Sequence, residues 1–127
     1  MRRASFLCEY CKASKNYSPS PFDIEHILPT SLGGNSDLDN LAYACNGCNC
    51  LKSNKIVAID PLIDKDVPLF HPRQHEWPLH FAWDTSGLLI IGTTPTGRAT
   101  VIFLKLNRLE LVNLRSLLAT VGKHPPE

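Results

Sequence analysis

The chain has 127 residues, of which 43% are hydrophobic and 20% charged, with a net charge of +1. That balance fits one ordinary globular domain whose modest core gains from a staple such as a metal, and by itself it singles out no partner. No secretory pattern follows Met1-Arg2-Arg3, and no run reaches the ~18 apolar residues of a membrane span, so a cytoplasmic, thiol-reducing setting without a membrane partner is expected.

In chain order, residues 1–20 read as a short cysteine knuckle followed by a polar loop with Pro19 and Pro21 at its end. Phe22–Leu28 reads as a strand stopped by Pro29, and Gly33-Gly34-Asn35 as a turn. Leu41–Ala44 reads as a second strand, and Asn46–Asn54 as a helix with Cys45 near its start. Pro61, Pro68, Pro72 and Pro78 punctuate the next stretch, which is expected to be an irregular wrap without long elements. Leu79–Trp83 and Leu88–Ile91 flank Asp84-Thr85-Ser86-Gly87 and predict a β-hairpin. Thr94-Pro95-Thr96-Gly97 precedes a helix to about Leu106. Asn107 with Glu110 resembles a capping box opening a last helix, on which Leu111, Leu114, Leu118 and Val121 share a face and which Gly122 ends. The order predicts an α+β fold: a core over 1–56, then an extension over 57–127 of wrap, hairpin and two helices packed on it.

Basic residues gather in separate stretches: Arg2, Arg3, Lys12 and Lys15; Lys52 and Lys55; and Arg98, Lys105, Arg108, Arg115 and Lys123. They could form a phosphate-binding face, although solvated surface is the plainer reading. Four of the five cysteines form two Cys-x-x-Cys pairs, Cys8/Cys11 and Cys45/Cys48. In a reducing compartment this pattern reads as a four-thiolate structural zinc site, closed to substrate. A redox dithiol and unrelated buried cysteines are the alternatives, but a redox Cys-x-x-Cys normally stands alone at a helix start, and two copies argue against both. Cys50 is expected to be a free thiol facing the core.

Glu25-His26, Asn40 and Cys45-x-x-Cys48-Asn49-x-x-Lys52 resemble the HNH endonucleases of the ββα-metal fold, over roughly residues 5–56. Val67–Thr100 also looks like the C-terminal part of a group of small bacterial HNH proteins. The resemblance implies a metal-dependent endonuclease that nicks or cleaves DNA, expected to be double-stranded. His26 suits a general base, because an imidazole can exchange protons near neutral pH. Glu25 stands where the family commonly has Asp, and Asn49 where it often has His. Together they would form an oxygen-based site for Mg²⁺ or Mn²⁺. Asn40 matches the family's middle Asn, whose implied role is to hold the loop that carries the histidine. Adjacent strand residues point to opposite faces, so Glu25 and His26 need a twisted backbone to serve one site. Lys52 and Lys55, with Arg73 and Arg98, are the candidate phosphate contacts. His71, His75, His80 and His124 fit no ligand spacing, and Trp77 and Trp83 read as core. Two other classes stay open: a non-catalytic zinc-braced nucleic-acid-binding module, and a structural zinc domain that docks to another protein.

Overall fold

In a computed structural model that describes residues 6–126, three antiparallel strand pairs and four α-helices form a mixed α+β fold. Arg2 and Arg3 lie outside the described residues. Strands β1 (Asp23–His26) and β2 (Leu41–Ala44) pair with Glu25 opposite Ala42 and His26 opposite Leu41, and α1 (Asn46–Lys52) follows directly. This is the strand, loop, strand, helix order that the sequence predicts. The small Ala42 and Ala44 sit opposite Glu25 and Asp23 in the ladder. Side chains alternate along β1, so Asp23 and Glu25 share the face that meets α1 while Ile24 and His26 take the other.

The stretch expected to be an irregular wrap holds a hairpin, β3 (Val57–Asp60) against β4 (Lys65–Pro68). Its prolines do not forbid it. Pro61 lies in the connecting turn and Pro68 at the last ladder position, so neither removes an interior donor. The apolar Val57, Ala58 and Ile59 alternate in burial, as a half-buried strand requires. A single helical turn, α2 (Trp77–His80), replaces the start of the predicted C-terminal strand. The hairpin then runs as β5 (Phe81–Trp83) against β6 (Ile90–Gly92).

Helix α3 (Pro95–Phe103) starts at Thr94, whose side chain accepts from Gly97 N, and it ends short of the expected Leu106. It packs closely on the hairpin: a Cβ on Gly97 would lie 2.0 Å from His80 O, so only glycine fits there. The last helix, α4 (Leu109–Ala119), begins after Arg108, without a side-chain cap. The Asn107 capping box does not form, because Asn107 bonds both Ile90 N and Ile90 O instead and ties the interhelix link to β6. Leu111 is buried and Leu114 and Leu118 half-buried, but Val121 is exposed. One buried cluster joins Cys8, Tyr10 and Cys48 with Phe70, Phe81, Leu104 and Leu111, so both halves of the chain contribute to it. Among the described residues, no helix is long and apolar enough to cross a membrane.

Candidate metal centre and active-site cleft

The two Cys-x-x-Cys turns converge. The sulfurs of Cys8, Cys11, Cys45 and Cys48 all lie within 4.8 Å of one another, and all four residues are buried. Cys11 Sγ and Cys45 Sγ are 3.7 Å apart. A tetrahedral ion with Zn–S arms of about 2.3 Å needs edges of about 3.8 Å, so the thiols fit a closed zinc-type shell. Backbone N–H groups of Cys11 and Cys48 point at Cys8 Sγ and Cys45 Sγ, at 3.5 and 3.4 Å. Hydrogen bonds from Cys11, then Cys48 and Cys8, hold the Cys45 thiol far below its ordinary value. The same crowding pushes Cys11 and Cys48 up: the four cannot all ionise without a cation among them.

Two arginines from the C-terminal half close this centre, and neither was singled out in the sequence. Arg108 Nη2 lies 3.5 Å from Cys45 Sγ and 3.7 Å from Cys48 Sγ. Burial alone would weaken its charge, but the charge and hydrogen bond of Cys48 raise it overall. Four thiolates around a divalent ion leave excess negative charge, which this guanidinium offsets. Arg115 donates to Cys11 O at 3.4 Å and to Leu106 O at 2.6 Å. Such contacts have no sequence signature, because each arginine meets its cysteine partners from 60 or more residues away.

The second site is a shallow cleft of about 270 Å³ lined by Glu25, His26 and Asn49, with Pro29, Thr30 and Ser53. His26 is half-buried, with Nε2 2.9 Å from Ser36 Oγ. Asn49 Nδ2 donates to Asp23 Oδ2 at 3.1 Å. A carboxylate only accepts, so Asp23 fixes the amide orientation and leaves Asn49 Oδ1 uncommitted. Glu25 is buried; Tyr10 OH donates to its Oε1, and Lys52 Nζ lies 3.6 Å from its Oε2. Burial pushes the Glu25 carboxyl up, against the opposing pull of Lys52 and Tyr10. Tyr10 sits inside the first cysteine turn, and Trp77 Nε1 donates to its carbonyl at 2.9 Å.

Asn40 lies beside the cleft and is buried. Its Oδ1 accepts from Leu28 N at 2.8 Å, while Nδ2 donates to Leu28 O at 3.0 Å and to Asn35 O at 2.7 Å. The loop between β1 and β2 is thus closed by one side chain. Gly34 is part of that closure: a Cβ there would lie 1.8 Å from Leu28 O.

Three of the four predicted phosphate contacts are engaged within the protein. Lys52 is 1% exposed, and its ammonium donates to Ile27 O at 2.9 Å beside Glu25. Burial lowers its affinity for a proton, and Glu25 restores part of it. Arg73 pairs with Glu9. Arg98 binds Asp60 with two hydrogen bonds, at 3.0 and 2.7 Å, and Asp60 is fully buried. Each cation meets a carboxylate whose desolvation has to be compensated, which a linear sequence does not reveal. Lys55 is exposed just beyond α1. Cys50 is a free thiol but exposed, because it falls on the outer face of α1. His80 is half-buried, with Nδ1 2.6 Å from Thr94 Oγ1, and Trp77 and Trp83 pack against the core.

Residues 8–55 match a family model described as HNH endonuclease. No curated protein and no solved structure matches the chain significantly.

Proposed function

We propose that the protein, whose residues 8–55 match the HNH endonuclease model and bring four cysteines together, is a metal-dependent endonuclease that hydrolyses phosphodiester bonds of double-stranded DNA. The observation that carries this reading is that Glu25, His26 and Asn49 line one cleft. Cys8, Cys11, Cys45 and Cys48 hold a structural Zn²⁺, kept available by a reducing cytoplasm. Glu25 and Asn49 Oδ1 supply hard oxygen ligands for Mg²⁺ or Mn²⁺, with Asp23 as the positioning residue that turns the amide oxygen outward. When bound, that ion supplies Lewis-acid charge to the scissile phosphate and the departing oxygen. His26 is the general base. Ser36 engages Nε2 and, among the described residues, no protein group engages Nδ1, so Nδ1 is the nitrogen that takes a proton from the attacking water. Asn40 holds the loop behind it, and Lys55 offers an exposed ammonium to the backbone of the substrate.

A plasmid-nicking assay with Mg²⁺ or Mn²⁺, with and without chelator, tests the proposal on wild type and His26→Ala at equal zinc content. Nicking that needs the ion and drops at least a hundredfold in the variant is expected. Absence of metal-dependent nicking, or equal nicking by both proteins, overturns it. The second reading is a non-catalytic zinc-braced nucleic-acid-binding module. The contacts of Glu25 with Tyr10 and Lys52 favour it, and it predicts binding without cleavage.

A further inference from the structure

A separate and larger cavity, of about 540 Å³, opens where strand β1 gives way to its loop. Ile27 and Leu28, the two residues after His26, line it. Buried Leu69 and Phe70 contribute apolar surface, and His71 and His75 contribute polar groups. Backbone N–H groups of Arg73 and Gln74 donate to His71 Nδ1 at 3.2 and 3.1 Å. His71 N donates to His75 Nδ1 at 2.9 Å. Each Nδ1 thus accepts a backbone hydrogen bond, which leaves Nε2 of each ring as the N–H that faces outward, with no lone pair to offer a metal. Neither Nε2 meets a protein partner among the described residues, and neither is buried without one. The rings stand at 81° to each other, so a planar ligand can lie on one while the other donates to its edge.

The charge around the cavity argues against a phosphate. Lys52, the Lys or Arg side chain lining it, already holds Ile27 O and Glu25, and the exposed Asp39 adds a negative charge. An uncharged heteroaromatic ring with acceptor atoms on its edge fits instead. We propose that this cavity receives an unpaired nucleobase of the nucleic-acid substrate, held by the Nε2–H groups of His71 and His75 over an apolar floor. Leu28 lies two residues beyond His26, where β1 has ended, so at most about 7 Å of backbone separates them. Nucleotides of one DNA strand are spaced by about 3.4 Å, which puts the base within about two nucleotides of the bond facing His26. A base already out of its stack enters without the cost of extrusion, so a bulged duplex is preferred over a paired one. The identity of the ligand rests on the nuclease reading above.

The test uses the full-length, zinc-loaded protein without Mg²⁺ or Mn²⁺. Affinity is compared by anisotropy for a fully paired duplex and one carrying a single-nucleotide bulge, with 2-aminopurine at the bulge reporting its surroundings. Expected are at least tenfold tighter binding of the bulged duplex and a change in 2-aminopurine emission. Val57 and Ile56 line the cavity and are 48% and 39% exposed, so Val57→Trp and Ile56→Trp each fill it without removing a buried side chain. Both variants should lose the preference while nicking paired plasmid as the wild type does. Equal wild-type affinity for the two duplexes, or a preference that survives in both filled variants, overturns the inference. Plasmid nicking reports separately on the nuclease reading.

Discussion

Replacing Asn40 with alanine removes three hydrogen bonds at once, from Leu28 N and to Leu28 O and Asn35 O. Each is worth about 1 kcal/mol net, so the loss is about 3 kcal/mol. At roughly 4 °C per kcal/mol for a domain of this size, the melting midpoint falls by about 12 °C. Zinc-saturated protein, unfolded in urea and followed by tryptophan fluorescence, gives the number. Asn40→Asp refines it. The carboxylate keeps the acceptor for Leu28 N but turns an oxygen toward two carbonyls. A loss at least equal to that of alanine is expected at neutral pH. Gly34→Ala attacks the same closure by collision with Leu28 O and should also destabilise. A loss below about 1 kcal/mol in Asn40→Ala would mean that water replaces the three bonds, and the loop-closing role would fail with it.

Arg108→Ala should weaken zinc binding about tenfold or more, the usual effect of losing an outer partner of the ligands, as read by competition with a chromophoric chelator. An unchanged affinity would show that the guanidinium does not compensate the thiolates. Burial and the Glu25 charge hold the Tyr10 phenol well above its ordinary value of 10.0. Its contribution to stability is therefore complete below about pH 10 and is lost as pH rises through the folded-state value. Tyr10→Phe should flatten the fall in stability above pH 10, and an equally steep fall refutes this. A chain ending at residue 56 loses Phe70, Phe81, Leu104, Leu106 and Leu111 from the shared core, so no cooperative melt is expected even with zinc. A sharp calorimetric transition for that fragment would show that it folds alone.

What could be read from the sequence was whatever depends on local order. Paired Cys-x-x-Cys spacing, the strand before Pro29, Leu41–Ala44 and the helix after Cys45 appear as the residues predict. Side-chain partners across the fold could not be read. Lys52 and Arg98 look like free cations in a linear chain, yet each meets an acid from a different element. Asn107 has the neighbours of a cap but finds a better pair of partners in the Ile90 backbone. The β3–β4 hairpin was hidden by prolines that lie at its turn and its end, where a strand tolerates them. Asp23 escaped notice because its meaning depends on Asn49, 26 residues away, being an amide that must be turned.

The destination of the cations also limits how this protein can hold nucleic acid. Of its 13 Lys and Arg residues, Lys52, Arg73, Arg98, Arg108 and Arg115 have partners inside the fold. Lys12 lies over the Trp77 ring at 5.3 Å, and the net charge is only +1. A protein that gripped duplex DNA through its phosphates would lose affinity steeply with salt, since the log–log slope is about −0.9 per phosphate contact. Among the described residues Lys15, Lys55, Lys65, Lys105 and Lys123 are exposed, so at roughly −0.9 per contact a slope no steeper than about −4.5 is expected between 50 and 200 mM salt. A slope steeper than about −5 would reveal a phosphate-binding face that the fold does not display. A shallow slope leaves the remaining affinity to the polar side chains of the cleft and to contacts with the bases themselves.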